Sequence, residues 1–275
     1  MTRSLLVLVF VFCGLTATNT TQAQDIRDNF LVDKIYDYHN KLLAEYFYDN
    51  DHKLTKRIVA DQIVEPSRTI DRKWESEFEY ENGRVSKIKT YNLYVQKHNT
   101  IDALSYTQES NTETTFDYDS EGRPIRAGSN FLYEDGLLVS TYGYILGPCF
   151  YQDTIKYDNS KNVTEHIYVG PEYNMIEQPI LGTYRVSTRR YEYDDNPKPN
   201  FGLDYLFIYN PLPYSEVPDF TRALSKNNMT KATEDGYEFF YTYNENGLPK
   251  IIETKWLGVE TLYPMLLRIT YKQIK

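Results

Sequence analysis

A short phrase recurs along the chain and constrains its fold more than any other feature. It consists of an aromatic or apolar residue, any residue, a tyrosine, an acidic residue or asparagine, a polar turn and an apolar residue. On a strand, the first residue and the tyrosine share one face because side chains alternate. The tyrosines of the seven copies are Tyr48, Tyr80, Tyr118, Tyr133, Tyr157, Tyr193 and Tyr243. The phrase predicts a series of β-hairpins and contains no group that a reaction would require.

Asn82-Gly83 is the clearest turn signal in the repeat. Both residues of a two-residue hairpin loop take positive φ, which Asn-Gly tolerates better than most dipeptides. The turn therefore predicts that Tyr80 lies opposite Val85 on one face of the sheet. The neighbouring positions are charged, so we expect strands with aromatic side chains inward and charged side chains outward.

The predicted fold class is all-β, an antiparallel meander of these hairpins that forms one large curved sheet or a barrel-like structure. The 27 tyrosines, against four methionines and two tryptophans, are typical of wide pleated surfaces. An eighth, degenerate copy at Tyr36-Asp37 predicts that the meander starts early. We expect residues 24–275 to form a single domain, with helix in less than about a fifth of it.

Residues 196–230 interrupt this rhythm and are predicted to form a long loop. The prolines of the segment are Pro197, Pro199, Pro211, Pro213 and Pro218. Proline cannot donate a ladder hydrogen bond, so these positions exclude a central strand. Residues 219–225 predict two helical turns that pack Phe220 and Leu224 on the sheet. Such a loop either carries function, covers a sheet edge or plugs a barrel.

The N-terminus is typical of a secretory signal peptide covering residues 1–23. Arg3 precedes an uncharged apolar run from Leu5 to Cys13, and Thr21-Gln22-Ala23 offers a cleavage site. A retained membrane anchor is an alternative, although the run is shorter than a bilayer requires. Lipidation at Cys13 is another, although Phe12 stands where such sites prefer a small residue. We expect a soluble periplasmic or extracellular chain.

The overall charge narrows the range of partners. The formal net charge is −9, and removal of the signal peptide deletes Arg3 and no acid. An acidic surface repels phosphate backbones, so nucleic acid is not an expected partner. Cleavage would leave Cys149 as the only cysteine, which excludes an intrachain disulfide and predicts a buried, inert thiol.

The sequence offers no clear catalytic or metal constellation, and no cofactor is expected. The four histidines are scattered and lack zinc spacing. Residues 117–122 match the first half of a calcium loop, but Gly128 stands where the bidentate acid belongs. A pair of carboxylates on facing strands could support a hydrolase, yet no pair is distinguished from the others. We expect a protein that is not an enzyme.

The repeat resembles the YD repeats of RHS-type proteins, whose strands form a hollow β-shell. The segments 34–49, 191–203 and 224–231 further resemble a family of secreted or lipid-anchored bacterial envelope proteins of unknown function. That second resemblance implies a porin-like, curved β fold in the envelope of a Gram-negative bacterium. It implies no catalytic residues, and the N-terminus departs from the clear lipidation site of many relatives.

Two classes of function follow from these observations. In the first, the chain is an envelope binding module whose tyrosines and Trp74 or Trp256 contact a ligand, with glycan as the plausible one because aromatic faces stack on sugar rings. In the second, it is a structural β-scaffold that encloses a partner. Insertion in the outer membrane is disfavoured because strands such as 75–81 are charged on the face that would meet lipid.

Overall fold

We analysed a computed structural model that describes residues 28–145, 149–174, 178–203, 219–256 and 265–274. These residues form seventeen strands, one short α-helix and one 3₁₀ turn at Asp102–Leu104. The elements are β1 (Phe30–Tyr36), β2 (Leu42–Tyr48), β3 (Leu54–Val64), β4 (Arg68–Glu81), β5 (Arg84–His98), β6 (Tyr106–Thr115), β7 (Asp117–Tyr118), β8 (Pro124–Ala127), β9 (Ser129–Glu134), β10 (Leu137–Ile145), β11 (Cys149–Tyr157), β12 (Val163–Tyr173), β13 (Pro179–Pro197), α1 (Asp219–Leu224), β14 (Asn227–Ala232), β15 (Tyr237–Tyr243), β16 (Pro249–Trp256) and β17 (Met265–Gln273).

The strands form an antiparallel meander that curls into a nearly closed barrel, so the predicted fold class is confirmed. Each strand from β7 to β17 pairs with the next, and β1 joins β17 to β2. The ladder continues from β2 to β6. Between β6 and β7 the described residues contain no ladder; Phe116 instead donates its N–H to the Ser86 carbonyl at 3.0 Å. Only one residue separates the end of β6 from the start of β7, so the two strands follow one another along the chain and are not paired neighbours.

Five turns share one geometry, which explains the acidic residue or asparagine of the repeat. At residues 158–162, for example, the Asp158 N–H donates to the Asn162 carbonyl at 2.9 Å, and the Asn162 N–H donates to the Asp158 carboxylate at 2.8 Å. Lys161 has a φ of 66°. The same pattern occurs at residues 37–41, 49–53, 119–123 and 244–248. The acidic residue is needed to close the turn.

The predicted Asn82-Gly83 hairpin is confirmed. Both residues have positive φ, at 51° and 80°, and Tyr80 lies opposite Val85. Asp135-Gly136 forms a second loop of the same kind, with φ of 48° and 77°. No Cβ would meet another atom at Gly83, so its requirement for glycine comes from the positive φ and not from crowding.

The meander places the turns of six repeat copies at one end of the barrel, which we call the turn end, and the seventh copy, at Tyr193, also lies there, where β13 pairs with the start of β14. The degenerate turn at residues 37–41 lies at the opposite end, because it joins β1 to β2 one strand earlier. It has the geometry of the other turns but a different location. The repeat phrase therefore predicts turn geometry without predicting the end at which a turn lies.

The repeat tyrosines join neighbouring hairpins at the turn end. The Tyr80 hydroxyl donates to the Leu54 carbonyl at 2.9 Å, and the Tyr157 hydroxyl donates to the Leu138 carbonyl at 2.9 Å. Tyr48 and Tyr118 make equivalent bonds to Val32 and Val85. The rings of Tyr48, Tyr80 and Tyr157 pack on the core, and that of Tyr118 stacks on Phe116, while each hydroxyl satisfies a backbone carbonyl.

The core lies on the inward face and draws on strands from around the whole barrel. Its members include Val32, Ile35, Leu54, Val85, Ile88, Leu138, Val163, Met229, Ile252 and Leu267, each at most 4% exposed. Burial on this scale compensates for the absence of a disulfide, since Cys149 is a free, buried thiol as predicted.

The segment after β13 crosses the inward face at the turn end. Asn200 accepts a hydrogen bond from the Val32 N–H at 2.8 Å, and the ring of Phe201 lies 5.2 Å from that of Tyr46. Helix α1 packs Leu224 on the core, which confirms the predicted helix, whereas the Phe220 side chain lies outside the described residues. The described parts of the segment lie on the core, because Asn200 and Phe201 contact β1 and β2 while α1 contacts β12.

The predicted loop boundaries differ from the structure at both ends. β13 continues through Pro197, and β14 begins at Asn227, inside the range 196–230. Pro197 lies at the last position of its strand, where a proline needs no ladder bond. Residues 204–218 lie outside the described residues, as does the predicted signal peptide. Both stay predictions.

Candidate functional site

The long strands project beyond the core as two walls, and their inward faces form the candidate site. The first wall comprises β3–β6 and the second comprises β10–β13. Strand pairing determines which side chains point inward. A side chain shares the face of a core residue if it lies directly opposite that residue on the paired strand, or two positions away on the same strand. The seven repeat tyrosines lie at the turn end, so the structure does not bring them into this site.

Hydroxyl and amide side chains line the first wall in rows across β4, β5 and β6. Ser76 and Thr90 are opposite each other, with their hydroxyl oxygens 3.1 Å apart. In the next row, Asn92 donates to the Ser110 hydroxyl at 3.3 Å. These rows of uncharged hydrogen-bond donors and acceptors can bind the polar groups of a ligand.

Farther from the turn end, the first wall carries an arginine–aspartate pair next to a tryptophan. The Arg72 guanidinium donates to the Asp61 carboxylate from Nε at 2.8 Å and also from an Nη. It lies 5.4 Å from the ring centre of Trp74. Asp61 is buried and Trp74 packs on the core, so the pair fixes the arginine in place.

A cleft of about 620 Å³ opens at the far end of the first wall, between the β3–β4 and β5–β6 connections. Gln96 and Tyr106 contribute to its lining. The ring of Tyr106 stacks on Tyr94, with centroids 5.5 Å apart and an interplanar angle of 24°. Tyr106 is 49% exposed, so this stacked pair presents an aromatic face to solvent.

On the second wall, three strands meet at Asp153. Its carboxylate accepts a hydrogen bond from the Thr141 hydroxyl at 2.7 Å and lies 2.6 Å from the Nε2 atom of His166. His166 is 3% exposed. The histidine therefore belongs to a buried network that ties β10, β11 and β12 together, a role that its isolation in the sequence does not indicate.

Two glycines keep the second wall flat where tyrosines lie across it. A Cβ on Gly143 would lie 2.9 Å from the ring of Tyr151, which is opposite on β11. A Cβ on Gly170 would lie 2.1 Å from the Tyr168 hydroxyl oxygen. Both tyrosine rings consequently lie against the backbone, and their exposed faces form part of the inward surface.

The same wall carries Arg185, which is opposite Gly170 on β13. Its guanidinium carbon lies 5.9 Å from the ring centre of Tyr173. Burial raises the pKa of Tyr168, and the nearby Arg185 charge partly opposes that rise. Arg185 is exposed, and no carboxylate of the described residues lies within ion-pair distance of it.

A third aromatic surface lies on β15 and β16. The ring of Trp256 stacks on Tyr237 with a centroid distance of 6.2 Å and an interplanar angle of 22°. Tyr237 in turn stacks on Phe239, a core residue. Trp256 is 48% exposed although it points inward, so the stack extends from the core into the space between the walls.

The inward and outward faces differ in the kind of charge they carry. Cations at the regular inward ladder positions of the two walls are all arginines, namely Arg57, Arg68, Arg72, Arg185 and Arg189. Asp61 and Asp153 are the carboxylates there. Outward positions carry mainly lysines and glutamates that pair across strands, as in Lys89–Glu79 at 2.5 Å and Lys156–Glu165 at 2.5 Å. At these described ladder positions, the inward face therefore carries more arginines than carboxylates.

The structure also accounts for the weaker candidates of the sequence. The Asp119 carboxylate of the half calcium loop accepts hydrogen bonds from two turn amides and pairs with Arg123, which together lower its pKa. Within the described ranges, no group of three or more histidine, cysteine or carboxylate side chains could hold a metal. None of the described helices has the length and apolarity needed to cross a bilayer.

No protein-family model matches the chain, and no curated protein matches it. Among solved structures it is similar to a porin-like protein from Bacteroides uniformis ATCC 8492, with 12% identity and a TM-score of 0.39, over 79% of this chain and 96% of that chain. It is also similar to a porin-like protein from Bacteroides vulgatus ATCC 8482, with 14% identity and a TM-score of 0.40, over 89% of this chain and 100% of that chain. The fold and the site described above rest on this chain's own geometry, and the envelope-family resemblance stays a prediction.

Proposed function

We propose that the protein is a non-catalytic, exported binding module that holds a glycan between its two walls. The observation that carries this proposal is the inward-pointing, half-exposed Trp256 on its stacked support, facing walls of hydroxyl, amide and arginine side chains. Apolar sugar faces stack on aromatic rings, and sugar hydroxyls exchange hydrogen bonds with polar side chains.

The arrangement favours binding over catalysis. The Asp153 carboxylate is occupied by Thr141 and His166, and Asp61 is held by Arg72. Neither carboxylate is free to act as acid or base towards a substrate. A hydrolase acting on envelope polysaccharide would need a free pair, so this alternative has the least support.

The proposed location is the envelope, periplasmic or extracellular. It rests on the signal peptide predicted from the sequence at residues 1–23, with lipidation at Cys13 as the alternative. Intact mass and N-terminal sequencing of the exported protein test it. A start near Gln24 supports export as a soluble chain, and a start at Cys13 with added acyl mass makes it a lipoprotein.

A glycan array with the chain lacking residues 1–23 tests the binding function directly. Trp256→Ala should weaken binding of a glycan hit by up to about tenfold, the effect of one lost aromatic contact. Phe240→Ala is the matched control, because Phe240 lies on the same sheet and is 45% exposed but points outward. A blank array, or equal losses for the two variants, would contradict the proposal.

A structural scaffold that encloses a partner is the second candidate. It is favoured by repeat tyrosines such as Tyr48, Tyr80 and Tyr157, which pack on the core and bond to neighbouring carbonyls instead of facing a ligand. A pull-down from the native envelope distinguishes the two. A stoichiometric protein partner together with a blank glycan array would favour the scaffold.

A further inference from the structure

Arg185 has no carboxylate partner among the described residues, which distinguishes it from Arg68, Arg72 and Arg189. Arg72 is paired with Asp61, and Arg189 lies 3.0 Å from Asp235. Arg68 is likewise paired, with Glu65 at 2.6 Å. A guanidinium presents several donors in a planar fork that suits a carboxylate or a sulfate. An exposed, unpaired arginine on an inward face is therefore available to an anion.

The surroundings of Arg185 suit a sugar ring beside that anion. Gly170 lies opposite it, and the flat rings of Tyr168 and Tyr151 lie along the same stretch of wall. Tyr173 lies beneath the guanidinium and restricts where it can point. A substituent larger than hydrogen at Gly170 would displace the Tyr168 ring, so the flatness of this surface depends on the sequence.

The charge distribution of the whole chain supports the same reading. The net charge is −9, yet the five inward arginines exceed by one the carboxylates that face them, which are Asp61 and Asp153 at ladder positions and Glu65 and Asp235 as ion-pair partners. An anionic ligand would be repelled by the outer surface and attracted between the walls. The outward lysines do not provide this attraction, because they pair with glutamates of the neighbouring strands.

We propose that the bound glycan is acidic and that Arg185 holds its carboxylate or sulfate group while the adjacent sugar ring lies on Tyr168. This inference rests on the proposed function and specifies its ligand class. It needs no covalent step and no metal. The arginine contributes a charge-assisted, forked hydrogen bond, and the tyrosine contributes a face for stacking.

The test uses two matched pairs of probes, and the members of a pair share one sugar backbone and differ in whether it carries anionic groups. One pair is a galacturonate hexamer and its fully methyl-esterified form, and the other is sulfated maltohexaose and maltohexaose. Calorimetric titration should show the acidic member of at least one pair binding about tenfold or more tightly, a preference that shrinks at high salt. The pair that shows the preference identifies the anionic group.

Arg185→Gln should abolish that preference, so that the acidic and the neutral member of the pair bind the variant equally. Arg190→Gln is the control, because Arg190 is the same residue type on the same strand but points outward. Thermal unfolding of both variants checks that they are folded. A preference that survives Arg185→Gln, or is lost equally in Arg190→Gln, overturns the assignment of Arg185.

The outcomes separate this inference from the proposed function. Neutral glycans that bind as well as acidic ones, or array hits confined to neutral glycans, overturn the acidic-ligand inference and leave the binding function standing. An array without any hit overturns the binding function, and the inference fails with it.

Discussion

The turn end and the projecting walls are built from the same kind of strand but differ in what their inward residues do. At the turn end, Leu54 and Val85 are almost completely buried, and Tyr80 packs beside them. On the walls, inward side chains such as Tyr106 and Trp256 are about half exposed. The repeat therefore secures stability at one end, which leaves the inward residues of the walls free of the packing requirement.

This difference shows why the most repeated residues are not the functional ones. The repeat tyrosines recur because each hairpin needs the same hydrogen bond and the same packing. The residues of the candidate site do not recur, and they lie on the same strands as the repeat but farther from its turns. Recurrence in a meander therefore indicates structure, and functional residues are better sought at inward positions beyond the core.

Alkaline pH should have the largest effect, and it should act at the turn end. Burial raises the pKa of Tyr48, Tyr157 and Tyr271, and it raises that of Tyr133 to about 12. Because the folded-state pKa values lie above the usual value of 10, their contribution is complete below pH 10 and is lost as pH rises further. We expect cooperative unfolding above pH 10, and circular dichroism measures it.

Ultraviolet absorbance of tyrosinate during the same titration separates the two regions. The turn-end tyrosines should ionise only as the protein unfolds. Tyrosines that all ionise near pH 10 before any loss of structure would show that the turn end is not packed as described.

Tyr80→Ala should be the most damaging single substitution in the matched set. It removes a ring that packs on the core and a hydroxyl bonded to Leu54, so the free energy of unfolding should fall by about 2–4 kcal/mol. Tyr106→Ala, at a half-exposed wall position, should change it by less than about 1 kcal/mol. Urea unfolding measures both, and equal losses would remove the distinction between the regions.

Tyr48→Phe isolates the hydroxyl from the ring. The Tyr48 hydroxyl donates to the Val32 carbonyl at 2.7 Å in a partly buried position, so its loss should cost about 1–2 kcal/mol. Tyr106→Phe is the control, with an expected change within about 0.5 kcal/mol. A neutral Tyr48→Phe would mean that water replaces the hydroxyl and that the ladder of tyrosine bonds does not stabilise the turn end.

Lys161→Gly should give the smallest effect, with the opposite sign. Lys161 has a φ of 66° in the turn at residues 158–162, a conformation that glycine adopts without strain. The loss of this strain, less the cost of the greater freedom of glycine in the unfolded chain, should raise the free energy of unfolding by about 0.5–1 kcal/mol. Thermal unfolding measures the change. Gly247 occupies the equivalent position of another copy, and Gly247→Ala should be destabilising by a similar amount.

The sequence was sufficient for the hairpins and insufficient for the walls, for a physical reason. Asn82-Gly83 determines the pairing of Tyr80 with Val85 because turn geometry is local. The inward direction of Thr141 depends on the register shift between Leu138 and Ser140, which has no readable signal in the sequence. Gly143 and Gly170, as glycines within strands, were the available signs of close contact on this wall.

Amide hydrogen exchange of the native chain, resolved residue by residue, tests the contrast between the two regions most directly. We expect the slowest exchange next to the core at the turn end, at Leu54–Val59 and Val85–Thr90. Exchange should be faster along β6 and along residues 179–186 of β13, where side chains are exposed and local opening costs less free energy. Uniform protection along the long strands, or the slowest exchange in their projecting parts, would contradict the claim that the repeat holds one end of the barrel together and leaves the walls free.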